Sequence, residues 1–141
     1  MICLGNICRS PLAEGILLHK ANACHLNILV DSAGTANYNV GKGPHDLSQK
    51  VAKLNGINIS NQKCRQFKKT DFEVFDKIYV MDISNYNDVK ELAGNYFNEH
   101  KIDLILNELY PNQNIEVPDP WYGGFEDFKK VYAMLDEACE V

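Results

Sequence analysis

The sequence predicts a three-layer α/β/α fold, in which helices cover both faces of a small central parallel sheet of about four strands. The first observation is that short apolar runs typical of buried strands alternate with amphipathic helical segments. The second is that the chain, at 141 residues, has the size of one domain with its own core and shows no linker or internal repeat. We therefore expect residues 1–141 to form a single domain.

The first strand and the first helix should be joined by a short loop. Only residues 1–2 precede the loop at residues 3–10, so we expect the first strand to be truncated at the N-terminus. Ser10 can cap the following helix, Pro11 suits its first position, and Glu14 favours the positive end of its dipole. Apolar residues then recur at helical spacing: Leu12, Ile16, Leu17 and Ala21.

The later elements follow from periodicity and from turn and capping residues. In order, we expect a strand at 28–30, a loop at 34–46, a helix at 47–54, a short helix opened by the capping box at 70–73, a strand at 77–81, a helix capped by Asp82 or Ser84 that ends near Tyr96, a loop at 107–124, and a last helix at 125–139. Residues 102–106 fit a strand or a helix equally well.

Composition excludes several classes of protein. The net charge is −5, and this does not favour a protein that wraps nucleic acid, because such a protein needs clustered basic side chains. No apolar run approaches the ~18 residues that a membrane span needs, and no secretory signal is visible. The five cysteines are an odd, scattered set, which is a weak disulfide framework, and we expect a cytoplasmic protein. The four histidines lack ligand spacing, so we assign no metal.

The segment from Cys3 to Ser10 is the most informative one, because it joins a strand to a helix N-terminus. Unpaired backbone N–H groups at such a place can bind an anion. Gly5 allows left-handed backbone and Asn6 tolerates it, so the loop can form a cradle. Arg9 can grip two phosphate oxygens, and Cys3 at the floor would be a thiolate nucleophile. By spacing alone, Cys3 could equally be a buried apolar residue and Arg9 a surface charge.

A second candidate site segment lies late in the chain. Asp119, between Pro118 and Pro120, could donate the proton that a departing phenolate needs. Taken alone, it is as well explained as a turn residue. Trp121 and Tyr122 could form the wall of a slot for an aromatic ring, or they could belong to the core.

The segment CLGNICRSP at residues 3–11 closely resembles the active-site loop of the low-molecular-weight protein tyrosine phosphatases. The resemblance continues, in the family's order and approximate spacing, through DSAGT at 31–35, YNVG at 38–41, VMD at 80–82 with Ser84-Asn85, and VPDPWY at 117–122. It covers nearly the whole chain. The nine-residue loop together with the late Asp-Pro pair is highly specific.

The resemblance implies a role for each matching residue. Cys3 is the nucleophile, Arg9 and the backbone of Leu4, Gly5, Asn6, Ile7, Cys8 and Ser10 bind phosphate, and Asp119 is the general acid and base. Asn6, Ser10 and Ser32 support the loop, while Tyr38, Trp121 and Tyr122 surround the substrate ring. Cys8 is the redox partner of the nucleophile, with a packing thiol as the alternative, and Cys24, Cys64 and Cys139 are packing residues. Gln62 stands three residues before Arg65, where many relatives have a histidine of the supporting network.

The implied reaction hydrolyses protein phosphotyrosine and small aryl phosphates through a cysteinyl-phosphate, without cofactor or metal. The partner is a tyrosine-phosphorylated protein and, for a bacterial source, a tyrosine kinase of polysaccharide production. One rival is a thioredoxin-coupled arsenate reductase, which needs two further cysteines about seven residues apart well downstream, and residues 75–95 contain none. The other rival is a non-catalytic phosphate or phosphopeptide binder.

Overall fold

The computed structural model describes residues 1–140 and contains a four-stranded, fully parallel sheet in the order β2-β1-β3-β4. The strands are β1 (Ile2–Cys3), β2 (Ala33–Gly34), β3 (Ile78–Val80) and β4 (Ile102–Leu104). The helices are α1 (Arg9–Ala23), α2 (Asp46–Leu54), α3 (Asp71–Val74), α4 (Ile83–Ala93) and α5 (Phe125–Glu140). Short 3₁₀ turns follow α4 and β4. This confirms the predicted three-layer architecture.

Two apolar clusters hold the helices against opposite faces of the sheet. One face packs against α1, α2 and α5, through residues such as Leu12, Val51 and Leu135. The other packs against α3 and α4, through residues such as Phe72 and Val89. Both faces of the sheet are therefore buried, as an all-parallel sheet requires.

Strand β1 is central, and its carboxyl end is where the functional loop begins. Ile2 pairs with Ala33 of β2 on one side and with Val80 of β3 on the other. The chain therefore crosses from one side of β1 to the other between β2 and β3. In open α/β sheets, ligands bind outside the carboxyl ends of the strands at such a switch point.

The predicted strand at 28–30 is wrong. Residues 28–30 make no backbone hydrogen bonds to a strand within residues 1–140, and strand pairing begins only at Ala33. A cavity of about 370 Å³ opens there, at the amino ends of β1 and β3. The paired strand is instead Ala33–Gly34, which overlaps the start of the predicted loop at 34–46.

The predicted helix caps and ends are correct at some positions and wrong at others. The first helix begins at Arg9, so Ser10 lies inside its first turn rather than capping it. His45 caps α2 through Nδ1, and Thr70 makes no side-chain cap at α3. Asp82, one of the two predicted caps, does cap α4, because its Oδ1 accepts from Asn85 N at 2.8 Å. Gly94, with φ +55°, ends α4 earlier than expected.

The remaining predictions near the C-terminus hold in outline. Residues 102–106, which fitted either class, form the strand Ile102–Leu104 and then a 3₁₀ turn at Ile105–Glu108. The last helix carries Phe128, Val131 and Leu135 on its buried side. Within residues 1–140, no helix is both long enough and apolar enough to cross a membrane.

Candidate active site

The loop after β1 curls around the sulfur of Cys3. Cys3 is 2% exposed, its Sγ accepts from Asn6 N at 3.3 Å, and it lies 3.0 Å from Ser10 Oγ. Asn6 takes the left-handed conformation, with φ +57°, whereas Gly5 does not. A Cβ at Gly5 would lie 2.8 Å from Asn39 Nδ2, so the end of the Asn39 side chain would have to move to admit one. The turn of the cradle therefore depends on Asn6, because short polar side chains tolerate this conformation better than most.

The side chain of Asn6 fastens the loop to its surroundings. Its Nδ2 donates to Ser10 Oγ at 2.8 Å and to Ser32 Oγ at 2.9 Å, and its Oδ1 accepts from Arg65 N at 3.0 Å. The two N–H groups of the amide and its oxygen all have partners here, so the orientation of the amide is determined. The structure thus brings together Asn6, Ser10 and Ser32, the three residues expected to support the loop.

Backbone N–H groups of the loop remain free to bind an anion. Among residues 1–140, the N–H groups of Gly5, Ile7 and Cys8 donate to no protein acceptor. They lie between a strand end and a helix N-terminus, where such donors and the helix dipole favour negative charge. A tetrahedral oxyanion is the ligand that this arrangement suits.

Arg9 is 2% exposed and is held by groups from other loops. Its Nη1 donates to Asp82 Oδ2 at 2.7 Å and to Val117 O at 2.9 Å. Its Nη2 lies 3.7 Å from Asp119 Oδ2. One end of the guanidinium is therefore anchored, and the other end faces the loop that carries Asp119.

The loop at 117–122 reaches the site through β3. Val117 N donates to Met81 O at 2.8 Å, just after β3 ends, and this bond places Asp119 over Arg9. Asp119 is exposed, and its Oδ1 accepts from Trp121 N at 3.0 Å. Trp121 is 47% exposed and Tyr122 is 96% exposed, so neither belongs to the core.

A cavity of about 280 Å³ joins these parts. It is lined by Cys3, Leu4, Gly5, Ile7, Cys8, Arg9, Tyr38, Asn39, Asp119, Trp121 and Tyr122. The nucleophile candidate is at its base, and three aromatic residues lie toward its opening. Of the predicted site residues, Asn6, Ser10 and Ser32 lie behind the loop rather than in the cavity.

The remaining cysteines differ in environment. Burial, together with negative charge at Cys3 and Asp119, raises the pKa of the Cys8 thiol to about 12. Burial also raises the pKa of Cys64, whose Sγ donates to Asn6 O at 2.8 Å, so this thiol contacts the functional loop. Cys24 is exposed, and its prediction as a packing residue is wrong. Cys8 and Cys64 therefore remain protonated thiols at neutral pH.

Sequence reasoning missed several residues that hold the site. Asp82 was read as a helix cap only, yet its second oxygen binds Arg9. Glu14 was assigned to the helix dipole, yet it lies in the second turn of α1 and accepts from Ser32 Oγ at 2.7 Å. Gln62 donates to Pro11 O and makes no bond to the supporting side chains. The signal that could have identified Asp82 as a site residue is its position just after the carboxyl end of a strand. The local sequence carries no such signal for Glu14.

The whole chain matches a known protein family. A sequence profile described as low molecular weight phosphotyrosine protein phosphatase matches residues 1–141. The low molecular weight protein-tyrosine-phosphatase YfkJ of Bacillus subtilis is 35% identical over 141 residues, covering 99% of this chain and 88% of its own. The low molecular weight phosphotyrosine protein phosphatase of Homo sapiens is 37% identical over 141 residues, covering 98% and 88%.

Solved structures agree with the sequence matches. A protein tyrosine phosphatase from Entamoeba histolytica, with Hepes in the active site, superposes with a TM-score of 0.89 at 36% identity and covers 99% of this chain and 89% of its own. The drosophila arginine phosphatase DARP has a TM-score of 0.89 at 33% identity, covering 99% and 90%. The chain therefore belongs to the low molecular weight phosphotyrosine protein phosphatase family, a family of hydrolases that act on phosphotyrosine.

Proposed function

We propose that this chain hydrolyses phosphotyrosine in proteins, and small aryl phosphates, through a phosphate ester formed on Cys3. The observation that carries the proposal is the convergence of Cys3, Arg9 and Asp119 on one cavity. Two hydrogen-bond partners of the sulfur, Asn6 N–H and the Ser10 hydroxyl, are suited to stabilising a thiolate. The free N–H groups of the loop and Arg9 Nη2 are suited to the phosphate oxygens.

In the first step, the thiolate of Cys3 attacks phosphorus, so the S–P bond forms as the P–O bond to the phenol breaks. Protonated Asp119 gives its proton to the departing oxygen. In the second step, water attacks phosphorus, Asp119 takes the water proton, and the S–P bond breaks. Inorganic phosphate leaves and the thiolate is restored. The loop N–H groups and Arg9 hold the equatorial oxygens throughout.

The aromatic residues near the opening support a flat substrate ring. Trp121 and Tyr122 follow Asp119 directly, and Tyr38 lies across the cavity from a different loop. A ring held between them would direct its phosphate toward Cys3. A guanidinium group can also stack on aromatic faces, and one structural relative is named an arginine phosphatase, so a phosphoarginine peptide is the informative comparison substrate.

Turnover of aryl phosphates tests the mechanism, with a chelator present and no added metal. Cys3→Ser should abolish activity. Asp119→Asn should lower kcat by about 10²–10⁴-fold on phenyl phosphate and by less on p-nitrophenyl phosphate, whose phenolate leaves more easily without a proton. Equal losses on both substrates would contradict Asp119 as the acid. Phosphate binding without turnover by folded wild type would favour a binding protein, with arsenate and thioredoxin as the next assay.

Substrate class is tested by the same wild-type protein on two peptides. The proposal predicts a higher kcat/KM for a phosphotyrosine peptide than for a matched phosphoarginine peptide. The reverse order would reassign the substrate while leaving the role of Cys3 intact. Because the mechanism needs a thiolate at Cys3, we also propose a reducing compartment, the cytoplasm, as its place of action.

We propose in addition that Cys8 protects the nucleophile during oxidation. A peroxide would convert the Cys3 thiolate to a sulfenic acid, and the Cys8 thiol would then displace water to form a disulfide. Both cysteines line the same cavity, which supports this pairing. Peroxide inactivation should be reversed by dithiothreitol in wild type, whereas Cys8→Ala should proceed to irreversible loss. Full recovery of Cys8→Ala would contradict the pairing.

A further inference from the structure

A continuous chain of hydrogen bonds connects the nucleophile candidate to a carboxylate outside the cavity. Cys3 Sγ lies 3.0 Å from Ser10 Oγ, which accepts from Asn6 Nδ2 at 2.8 Å. The same Nδ2 donates to Ser32 Oγ at 2.9 Å, and Ser32 Oγ donates to Glu14 Oε1 at 2.7 Å. Glu14 does not line the cavity, so this chain is the hydrogen-bonded route by which it would act on Cys3.

The directions of the protons in this chain are determined by its geometry. Asn6 Oδ1 is occupied by Arg65 N at 3.0 Å, so the amide cannot turn over without losing that bond. Nδ2 therefore gives one hydrogen to each serine hydroxyl. A hydroxyl that accepts from Asn6 must direct its own proton elsewhere. Ser10 then directs its proton at the sulfur, and Ser32 directs its proton at Glu14.

We propose that Glu14 is a positioning residue for the nucleophile. Its ionised carboxylate receives the Ser32 proton, which leaves Ser32 able to accept from Asn6, so that Glu14 and Arg65 N together hold the amide orientation that directs the Ser10 hydroxyl at Cys3. This inference rests on the proposed function of Cys3. It gives Glu14 a role that acts on the reactivity of the sulfur rather than on substrate binding.

The surroundings of Glu14 make its charge state sensitive to pH. Burial raises the pKa of Glu14, the hydrogen bond from Ser32 lowers it, the Asp31 carboxylate raises it, and the Met1 ammonium and Arg65 guanidinium lower it. When Glu14 takes up a proton, its carboxyl group competes with Ser32 as a donor. The chain of hydrogen bonds then no longer has one fixed order of donors and acceptors.

Two substitutions separate the role of the Glu14 side chain as a hydrogen-bond acceptor from the role of its negative charge. Glu14→Gln keeps an oxygen acceptor but cannot titrate. Glu14→Leu removes the acceptor. Glu137→Gln is the matched control, because Glu137 is an exposed glutamate on α5 and lies outside this chain of bonds.

The test is the rate at which iodoacetamide alkylates Cys3, followed by peptide mass spectrometry between pH 5 and 8. This readout does not depend on phosphatase turnover, so it remains informative even if the proposed function fails. Glu14→Leu should be alkylated about fivefold more slowly than wild type at neutral pH, since a hydrogen bond to an ionised group is weakened. Glu137→Gln should match wild type. Wild-type rates in folded Glu14→Leu would overturn the proposal.

The comparison with Glu14→Gln decides the matter if Glu14→Leu fails to fold. The ratio of the wild-type alkylation rate to the Glu14→Gln alkylation rate should be above one at neutral pH. It should fall toward one as the pH drops through the titration of Glu14. Simple charge repulsion predicts the opposite slope, with a ratio that starts below one. A ratio that does not change with pH, or that rises as the pH falls, would overturn the proposal.

Discussion

Asp82 uses its two carboxylate oxygens for two separable contacts, which makes it a sharp test of how the site is held. Oδ2 accepts from Arg9 Nη1 at 2.7 Å, and Oδ1 caps α4 by accepting from Asn85 N at 2.8 Å. Asp82→Asn keeps a good helix cap and removes the charge. Asp82→Ala removes both contacts. The difference between the two variants therefore isolates the cap.

The magnitude follows from the burial of Arg9, which is 2% exposed. Removing one partner of a buried ion pair costs about 3–5 kcal/mol. We reduce this to about 2–3 kcal/mol, because the Asp82 side chain is 19% exposed and Val117 O also binds the guanidinium. The lost cap adds about 1 kcal/mol. The free energy of unfolding should fall by about 2–3 kcal/mol in Asp82→Asn and by about 3–4 kcal/mol in Asp82→Ala.

Urea unfolding at pH 7 measures both values. Asp76→Ala is the matched control, since Asp76 is exposed and makes no hydrogen bond or salt bridge among the described residues, and it should change the free energy by less than about 0.5 kcal/mol. Equal losses in the two Asp82 variants would refute the capping role. Losses within about 0.5 kcal/mol of wild type in both would refute the stabilising role of the buried pair.

Three further predictions concern the loop and the buried groups. Gly34→Ala should lower kcat/KM for an aryl phosphate by at least about tenfold, because its Cβ would lie 2.8 Å from the backbone oxygen of Leu4; an unchanged kcat/KM would contradict the close packing of the loop. In the folded protein at pH 7.5, iodoacetamide should label exposed Cys24 and spare Cys8, whose pKa burial raises to about 12; rapid labelling of Cys8, read by mass spectrometry, would contradict this. Because burial raises the pKa of Glu14 from 4.5, the folded state binds its proton more tightly than the unfolded chain, so Glu14 subtracts stability as the pH rises above 4.5. The free energy of unfolding of wild type minus that of Glu14→Gln should therefore decrease from pH 4.5 to 7, and urea titrations that show an increase would count against the raised pKa.

Local pattern was a good guide where a residue's environment is set by its near neighbours. A cap at Asp82 or Ser84 was predicted from their place between an apolar run and an amphipathic segment, and Asp82 is the cap. The last helix, with Phe128 and Leu135 on its buried face, was likewise predicted from spacing. The buried face depends only on the helical period, and the cap depends only on a short polar side chain just before the first helical residue.

Local pattern failed where the outcome depends on a distant segment. The apolar run at 28–30 has strand character, but a strand needs backbone partners, and residues 1–140 supply none beside it. Ser10 has the character of a cap, but its hydroxyl faces Cys3 because the helix starts at Arg9, two residues earlier than predicted. Gln62 was placed by resemblance in the supporting network, yet it binds Pro11 O.

The sequence by itself determined the fold class, the family and the identity of the chemical groups, because an uninterrupted nine-residue loop and alternating elements are local and specific. Tertiary structure alone decided how those groups are held. Arg9 is anchored by Asp82, 73 positions away, and by Val117, 108 positions away, while Ser32 joins Asn6, 26 positions away, to Glu14, 18 positions away. Such contacts form only when the carboxyl ends of parallel strands meet at one edge, and chain spacing does not encode that proximity.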